Sequence, residues 1–262
     1  MRLYHTILLL FIAGNVWGQI VVSSNGDKLY ETYSYKQYIE KYEGMINKTL
    51  DVKRKLAESY YKTDKYLQAE EYYSQIANEY KRTSDDVYNY ASVLLINKKY
   101  QDHDKWMHVF HKMNKFDSRG VNYLNNKKLY ERLLLNKEQF HIKHLDFNSE
   151  EEDFGTAFYM GKIVFVSSGN RADLIKRKWN WNDLGFLDMI TAEIDEHGEF
   201  ESLKPFKKTI NKKFHEGPAS FNKTGDYMVF TRNNYTGKSK EGVIKLKLFT
   251  SQKINGVWQD PR

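Results

Sequence analysis

A run of cations and indoles is the part of this sequence best suited to recognition chemistry. It consists of Lys176, Arg177, Lys178, Trp179, Asn180 and Trp181. Cationic and aromatic side chains on a loop are suited to binding a peptide, a glycan or a protein surface. The two indoles could instead anchor the loop beneath the strands that it connects. Both roles stay open, and the three cations and two tryptophans form the candidate partner-binding site.

Histidines are a second set of residues with chemical potential. His103, His108 and His111 lie on one predicted helix, and the last two share a face because they are three residues apart. Two imidazoles suit zinc, but no third ligand accompanies them at metal-site spacing, so histidines facing a groove are favoured. For His215 and Glu216, a structural role at a turn is favoured over acid–base chemistry.

Signatures of enzymes are missing from the sequence. It contains no G-x-S-x-G, H-E-x-x-H, P-loop or G-x-G-x-x-G pattern. It also contains no cysteine, which excludes disulfides, thiolate metal sites and cysteine nucleophiles. We therefore predict a protein that is not an enzyme and needs no cofactor or metal.

The charge of the chain indicates a solvated surface. Lysine and arginine number 41 against 34 acidic residues, for a net charge of +7. The basic residues occur in pairs among acidic residues and not in one tract, which leaves an anionic partner as the lesser option and nucleic acid as a poor one.

The N-terminus has the pattern of a secretory signal peptide. Residues 1–18 hold one arginine, an apolar stretch from Ile7 to Ala13, and Gly18 before Gln19. The stretch is shorter than the roughly 20 residues that a membrane span requires. We expect export to the periplasm, a linker over residues 19–32 and no transmembrane span in the mature chain. An uncleaved N-terminal anchor is the alternative.

Residues 33–136 show a helical period with a repeat near 34 residues. The clearest unit is Tyr66, Ala69, Tyr73 and Ile76, and similar spacings begin at Tyr35 and Tyr100. Positions i, i+3, i+7 and i+10 share one helix face. Asp117 and Ser118 are suited to cap one further helix, through about Leu135. The pattern predicts an all-α array of tetratricopeptide (TPR)-like repeats.

Residues 140–262 show a strand pattern instead. Residues 216–235 read EGPASFNKTGDYMVFTRNNY, two β-rich runs around a turn containing Asn222 and Gly225, and residues 153–168 repeat the design. The predicted strands are 155–159, 163–168, 186–194 and 201–206, then 217–221, 227–231, 244–250 and one begun at 257–258. The pattern predicts two four-strand units.

The motif FNKTGDYMVFTRN is similar to the core of WD40-like (PD40) β-propeller blades, and its surroundings resemble bacterial envelope proteins that join TPR repeats, such a propeller and an OmpA-like domain. The resemblance implies a TPR-like helical array followed by all-β propeller blades. Only about two blades are present, so we expect an incomplete propeller in a truncated chain. Its outer faces, with Phe158, Phe165, Phe221 and Phe230, should then meet water.

The resemblance also implies a function. It is that of a non-enzymatic scaffold, periplasmic and associated with the outer membrane, which binds envelope proteins in cell-envelope organisation or type IX secretion. Binding to peptidoglycan-linked complexes would require the missing C-terminal domain. One alternative is a periplasmic glycan- or peptide-binding sensor that uses Trp179 and Trp181. The weakest is a hydrolase whose catalytic domain follows this chain.

Overall fold

The computed structural model describes residues 28–127, 132, 135, 137–169, 178–240 and 242–262. The proposed signal peptide therefore lies outside the described residues. The chain divides into two compact units. The first, here the helical unit, holds residues up to Ile142 together with Asn180–Asn182, and the second, the sheet unit, holds Lys143–Trp179 and Asp183–Arg262.

Antiparallel helix pairs build the helical unit, followed by a short 3₁₀ turn at Lys137–Gln139. The helices that lie wholly within the described residues are α1 Tyr35–Tyr42, α2 Leu50–Lys62, α3 Tyr66–Ala77, α4 Ser84–Ile96, α5 Tyr100–Met113 and α6 Ser118–Asn125. Three of these helices have an N-terminus that is capped by a polar side chain. The Thr49 hydroxyl accepts from the Val52 amide, Thr83 forms a capping box with Asp86, and Asp117 accepts from the Arg119 amide. The cap predicted at Asp117 is thus confirmed.

Tyrosines and small residues fill the core of the helical unit. One cluster of buried side chains joins α1, α2 and α3, and a second joins α4 and α5 through Val87, Ala91, Met107 and Phe110. Ala69 is fully buried where α3 packs, as its small size predicts. The helix predicted to run through about Leu135 ends at Asn125 instead, and most of residues 128–136 lies outside the described part.

Eight strands form two antiparallel sheets in the sheet unit, each connected in sequence order. The first sheet has β1 Asp153–Tyr159, β2 Lys162–Ser167, β3 Asp188–Ile194 and β4 Phe200–Pro205. The second has β5 Glu216–Phe221, β6 Tyr227–Asn233, β7 Leu246–Ile254 and β8 Val257–Trp258. The strands predicted from the sequence are confirmed, with shifts of a few residues at their ends.

Both sheets contribute one face to a shared core. Val164, Val166 and Met189 pack there with Met228, Phe230 and Trp258. The other face of the first sheet is buried too, because Ile163, Phe165 and Ile190 pack against Phe147. Phe165 and Phe230 are 3% and 1% exposed, so the expectation that they meet water is wrong, whereas Phe158 is 81% exposed.

The predicted fold class, a helical array followed by propeller blades, is wrong. The described residues form a mixed α/β structure with two four-stranded antiparallel sheets around one core. A propeller requires typically four or more sheets around a central channel. The order along the chain is not simple either, since Asn180–Asn182, between β2 and β3, belong to the helical unit. Local sequence patterns define strands and turns, but not how many sheets surround an axis.

Within the described residues, no helix is long and apolar enough to cross a membrane.

Candidate functional site

The described members of the candidate run, Lys178, Trp179 and Trp181, divide between the two units. Lys176 and Arg177 lie outside the described residues. Lys178 donates from Nζ to Oδ2 of Asp183 at 2.8 Å. In the sheet unit, the ring of Trp179 meets the ring of His215 edge-on, with centroids 4.6 Å apart.

Trp181 is counted with the helical unit and packs there. Its Nε1 donates to the carbonyl oxygen of Lys62 at 2.6 Å, and its ring meets Tyr35 edge-on at a centroid distance of 4.8 Å. The two indoles therefore have different neighbours. The partner-binding role of this run stays a prediction.

The histidines considered as candidates also divide between the two units. His103 is buried and its Nδ1 lies 2.8 Å from the Ala91 carbonyl oxygen, so Nδ1 carries the proton. His108 makes the equivalent contact with the Asp104 carbonyl at 2.7 Å. His215 is buried, and its Nδ1 accepts from the Leu187 amide at 3.1 Å. These contacts give the three imidazoles structural partners within their own units.

A cleft at the end of the helical unit is the best candidate for a binding site. It has a volume of about 360 Å³ and is lined by side chains of three successive helices. The lining residues are Tyr88, Ser92 and Leu95 of α4, His103 and Met107 of α5, and Arg119, Asn122, Tyr123 and the following Asn126 of α6.

Short connections between the helices create this cleft. Lys98 adopts a left-handed φ of 62°, and its amide and that of Lys99 bond back to the Leu95 and Leu94 carbonyls. This closes α4 and allows α5 to begin at Tyr100, antiparallel to it. α6 then begins at its Asp117 cap, so that its lining face, spaced i, i+3, i+4 and i+7 from Arg119, faces the cleft.

The cleft combines an apolar side with hydrogen-bonding groups. Leu95, Met107 and the Tyr88 ring supply apolar surface. Asn122 and Asn126 each carry an amide that can donate and accept, and both are exposed. Asn126 uses Nδ2 to bond the Asn122 carbonyl at 2.9 Å, which leaves its side-chain oxygen as an acceptor toward solvent. A cleft lined in this way can hold an apolar side chain of a bound peptide, and its amide groups can form hydrogen bonds with the peptide backbone on either side.

Arg119 is fixed on the wall by three neighbours. Its Nη2 lies 2.7 Å from Oδ2 of Asp117 and 2.7 Å from Oδ1 of Asp85, and its guanidinium lies over the Tyr88 ring, 4.4 Å from the centroid. Two hydrogen bonds from Arg119 lower the pKa of Asp117 to about 2. The bond from the guanidinium has the larger effect, and the bond from the Arg119 backbone amide adds to it. The guanidinium is therefore a positioned structural cation whose charge is already balanced.

Tyr123 extends this fixed wall toward α5. Its hydroxyl donates to Oδ1 of Asp104 at 2.8 Å, and its ring meets those of His103 and His108 edge-on at 5.7 and 5.6 Å. A rigid aromatic side chain presents contact area at a low cost in conformational entropy. Tyr123 therefore presents a positioned aromatic surface to the cleft.

Sequence reasoning did not find this cleft, although it found the cap of α6. The polar and aromatic face at positions 119, 122, 123 and 126 was the available signal. That face alone has the composition of an ordinary solvent-exposed helix surface.

The chain was compared with family models, curated proteins and solved structures. No family model matches it, and neither a curated protein nor a solved structure does.

Proposed function

We propose that this protein is a non-enzymatic binding protein whose helical unit holds an extended segment of a partner protein in the cleft between α4, α5 and α6. The observation that carries the proposal is the cleft itself, where apolar surface of α4 and α5 meets the side-chain amides of Asn122 and Asn126 beside the fixed residues Arg119 and Tyr123.

The size and composition of the cleft support a peptide as the ligand. Its volume of about 360 Å³ is at the lower end of the roughly 300 to 1,000 Å³ of small-ligand sites. That space suits one anchoring side chain between Leu95 and Met107. The amides of Asn122 and Asn126 are suited to the N–H and C=O groups of an extended backbone beside it.

The proposed partner is another protein of the cell envelope. This part of the proposal rests on the signal-peptide pattern of residues 1–18 and on the resemblance carried by residues 216–235. Roles in type IX secretion and in peptidoglycan-linked complexes stay predictions. N-terminal sequencing of the protein from a periplasmic fraction tests export: a start near Gln19 supports it, and an intact Met1 contradicts it.

Peptide selection on the full mature chain tests the binding function. A displayed library of random dodecapeptides is selected on the immobilised protein, and the enriched peptides are labelled with fluorescein for anisotropy titrations. Two variants of α6 are compared. Asn122→Trp fills the cleft, whereas Val121→Trp adds the same side chain at an exposed position of α6 outside the lining residues.

We expect the wild-type protein and Val121→Trp to bind the selected peptides equally, and Asn122→Trp to bind at least tenfold more weakly. Circular dichroism should show the same helix content in all three proteins. Equal binding by Asn122→Trp, or a selection that enriches no peptide, would overturn the proposal.

A further inference from the structure

We propose, on the basis of the proposed cleft function, that the segment bound there is basic and carries lysine or arginine next to its apolar anchor. The charges around the cleft carry this inference, and they concern which partner sequences the site accepts.

Carboxylates outnumber cations among the charged groups joined to Arg119 and Tyr123, although no carboxylate lines the cleft itself. Arg119 is the one charged residue among the described lining residues. It contacts the carboxylates of Asp85 and Asp117, and Tyr123 contacts that of Asp104. Three carboxylates against one guanidinium give this group a formal charge of −2 with histidines neutral.

Lys105, which follows Asp104 on α5, does not change that balance. Lys105 pairs with Asp102 on its own helix, with Nζ 2.9 Å from Oδ1. Its charge is therefore matched by a further carboxylate. The side chains of Asp85 and Asp104 are accessible, that of Asp85 being 67% exposed, so both remain available to an incoming cation.

Arg119 is poorly placed to attract an anionic partner. Its guanidinium already bonds two carboxylates and stacks on Tyr88. An incoming carboxylate would have to displace Asp117, which also caps α6, or approach two negative groups. Like charges brought together at an interface oppose association.

This local charge contrasts with the rest of the chain, whose net charge is +7. A basic segment would be repelled by the protein as a whole and attracted only at a patch of opposite sign. The carboxylates beside the cleft would therefore direct a basic segment to this part of the protein.

A charge-balanced library tests this inference. Dodecapeptides with a fixed central aromatic or leucine residue carry lysine, arginine, glutamine and glutamate at equal frequency in the flanking positions. We expect the selected peptides to be enriched in lysine and arginine and depleted in glutamate. Enrichment of glutamate, or no charge preference, would overturn the inference while leaving peptide binding intact.

Charge variants of the protein make the test site-specific. We expect the double change Asp85→Asn and Asp104→Asn to weaken binding of a selected basic peptide about fivefold, as two exposed ion pairs would. A glutamine analogue of that peptide should bind both proteins equally. The control is Asp51→Asn on α2, whose side chain is similarly exposed at 66% but pairs with Lys55, which does not line the cleft. An equal loss in the control would refute a role for the cleft carboxylates.

If the cleft does not bind peptides at all, the experiments give a different result. In that case Asn122→Trp binds every selected peptide as well as the wild type does, whatever the charge of the peptide. Loss of binding in Asn122→Trp without a preference for basic peptides contradicts the charge inference alone.

Discussion

Glu216 and Arg232 form a buried pair on neighbouring strands of the second sheet. Oε1 of Glu216 lies 3.6 Å from Nε of Arg232, and the Glu216 side chain is fully buried. The Tyr235 hydroxyl donates to the same carboxylate oxygen at 2.5 Å, and the guanidinium lies over the Tyr235 ring. Neither Oε2 of Glu216 nor Nε of Arg232 has a hydrogen-bond partner among the described residues. The carboxylate thus has one cation beside it but incomplete hydrogen bonding.

Burial dominates the ionisation of Glu216. It raises the pKa of this carboxyl from its ordinary value of 4.5 to about 7, and Asp188 acts in the same direction. The hydrogen bonds from Tyr235 and from the Lys212 amide, and the charge of Arg232, act in the opposite direction but are outweighed. The folded state therefore binds a proton more tightly than the unfolded state does.

The stability of the sheet unit should accordingly depend on pH through Glu216. Because its pKa is raised on folding, the stabilising contribution is fully present below about pH 4.5 and is lost as the pH rises toward 7. A shift from 4.5 to about 7 corresponds to roughly 3 kcal/mol. In Glu216→Gln this contribution to the pH dependence should disappear.

Denaturant unfolding at pH 4.5, 6 and 7.5 measures this effect. Relative to wild type, Glu216→Gln should gain stability as the pH rises. Glu201→Gln, an exposed change on β4, should follow the wild type throughout. A constant difference between Glu216→Gln and wild type at all three pH values would contradict the prediction.

Local structure was predictable from this sequence because its signals are local. The alternating residues from Tyr227 to Thr231 and the Asn222 turn define a hairpin, and the Asn222 side chain indeed accepts from the Asp226 and Tyr227 amides. Asp117 was identifiable as a helix cap for the same reason. Each of these features depends on residues within a few positions of one another.

The assembly of these elements was not predictable in the same way. Alternation along β6 places Phe230 on one face of the sheet, but it does not predict which residues pack against that face. The cover comes from the other sheet, where Val166 and Met189 lie in the same core. The cleft was missed for a similar reason, since its walls come from residues as far apart as Tyr88 and Asn126.

A second prediction concerns the ion pair between α2 and α4. Arg54 donates from Nε and Nη2 to the two oxygens of Asp86, at 2.8 and 2.6 Å, and Asp86 also closes the capping box with Thr83. Burial alone would raise the pKa of Asp86, but the hydrogen bonds from Arg54 and Thr83 lower it. We expect Asp86→Asn to destabilise the helical unit by about 1 to 3 kcal/mol.

The loss in Asp86→Asn should be largest near neutral pH. Because folding lowers the pKa of Asp86, its contribution is present above the unfolded pKa and is lost as the pH falls. Denaturant unfolding at pH 7 and pH 3 measures this. Asp51→Asn, which removes a 66% exposed carboxylate from the first turn of α2 together with its pair to Lys55, should cost less, at most about 1 kcal/mol. Equal costs for the two variants would contradict a special role for Asp86.

A third prediction tests the packing of α3. Ala69 is fully buried between helices, whereas Leu67 on the same helix is 66% exposed. Ala69→Trp should destabilise the helical unit by about 1 to 3 kcal/mol or more, because the larger ring must force the helices apart. Leu67→Trp should change stability little. Thermal unfolding followed by circular dichroism compares them, and similar midpoints would show that α3 is packed differently.

The last prediction concerns the close approach of β1 and β5 in the sheet unit. Gly155 adopts a φ of +67°, and a Cβ at this position would lie 2.5 Å from Cγ of Pro218. Gly161 has a similar φ of +75°, but nothing lies within 4 Å of its potential Cβ. Both alanine variants therefore carry the cost of a left-handed conformation, roughly 1 kcal/mol. Only Gly155→Ala also meets a neighbour.

Because the proline ring cannot rotate away, the clash in Gly155→Ala must be relieved by moving the strands apart. We expect Gly155→Ala to lose about 1 to 3 kcal/mol more than Gly161→Ala, the usual cost of overpacking a filled site. Urea unfolding of the two variants gives this difference directly, with the shared backbone strain cancelling. Equal losses would mean that β1 and β5 are not in contact through Gly155 and Pro218, and the shared core of the two sheets would lose one of its closest contacts.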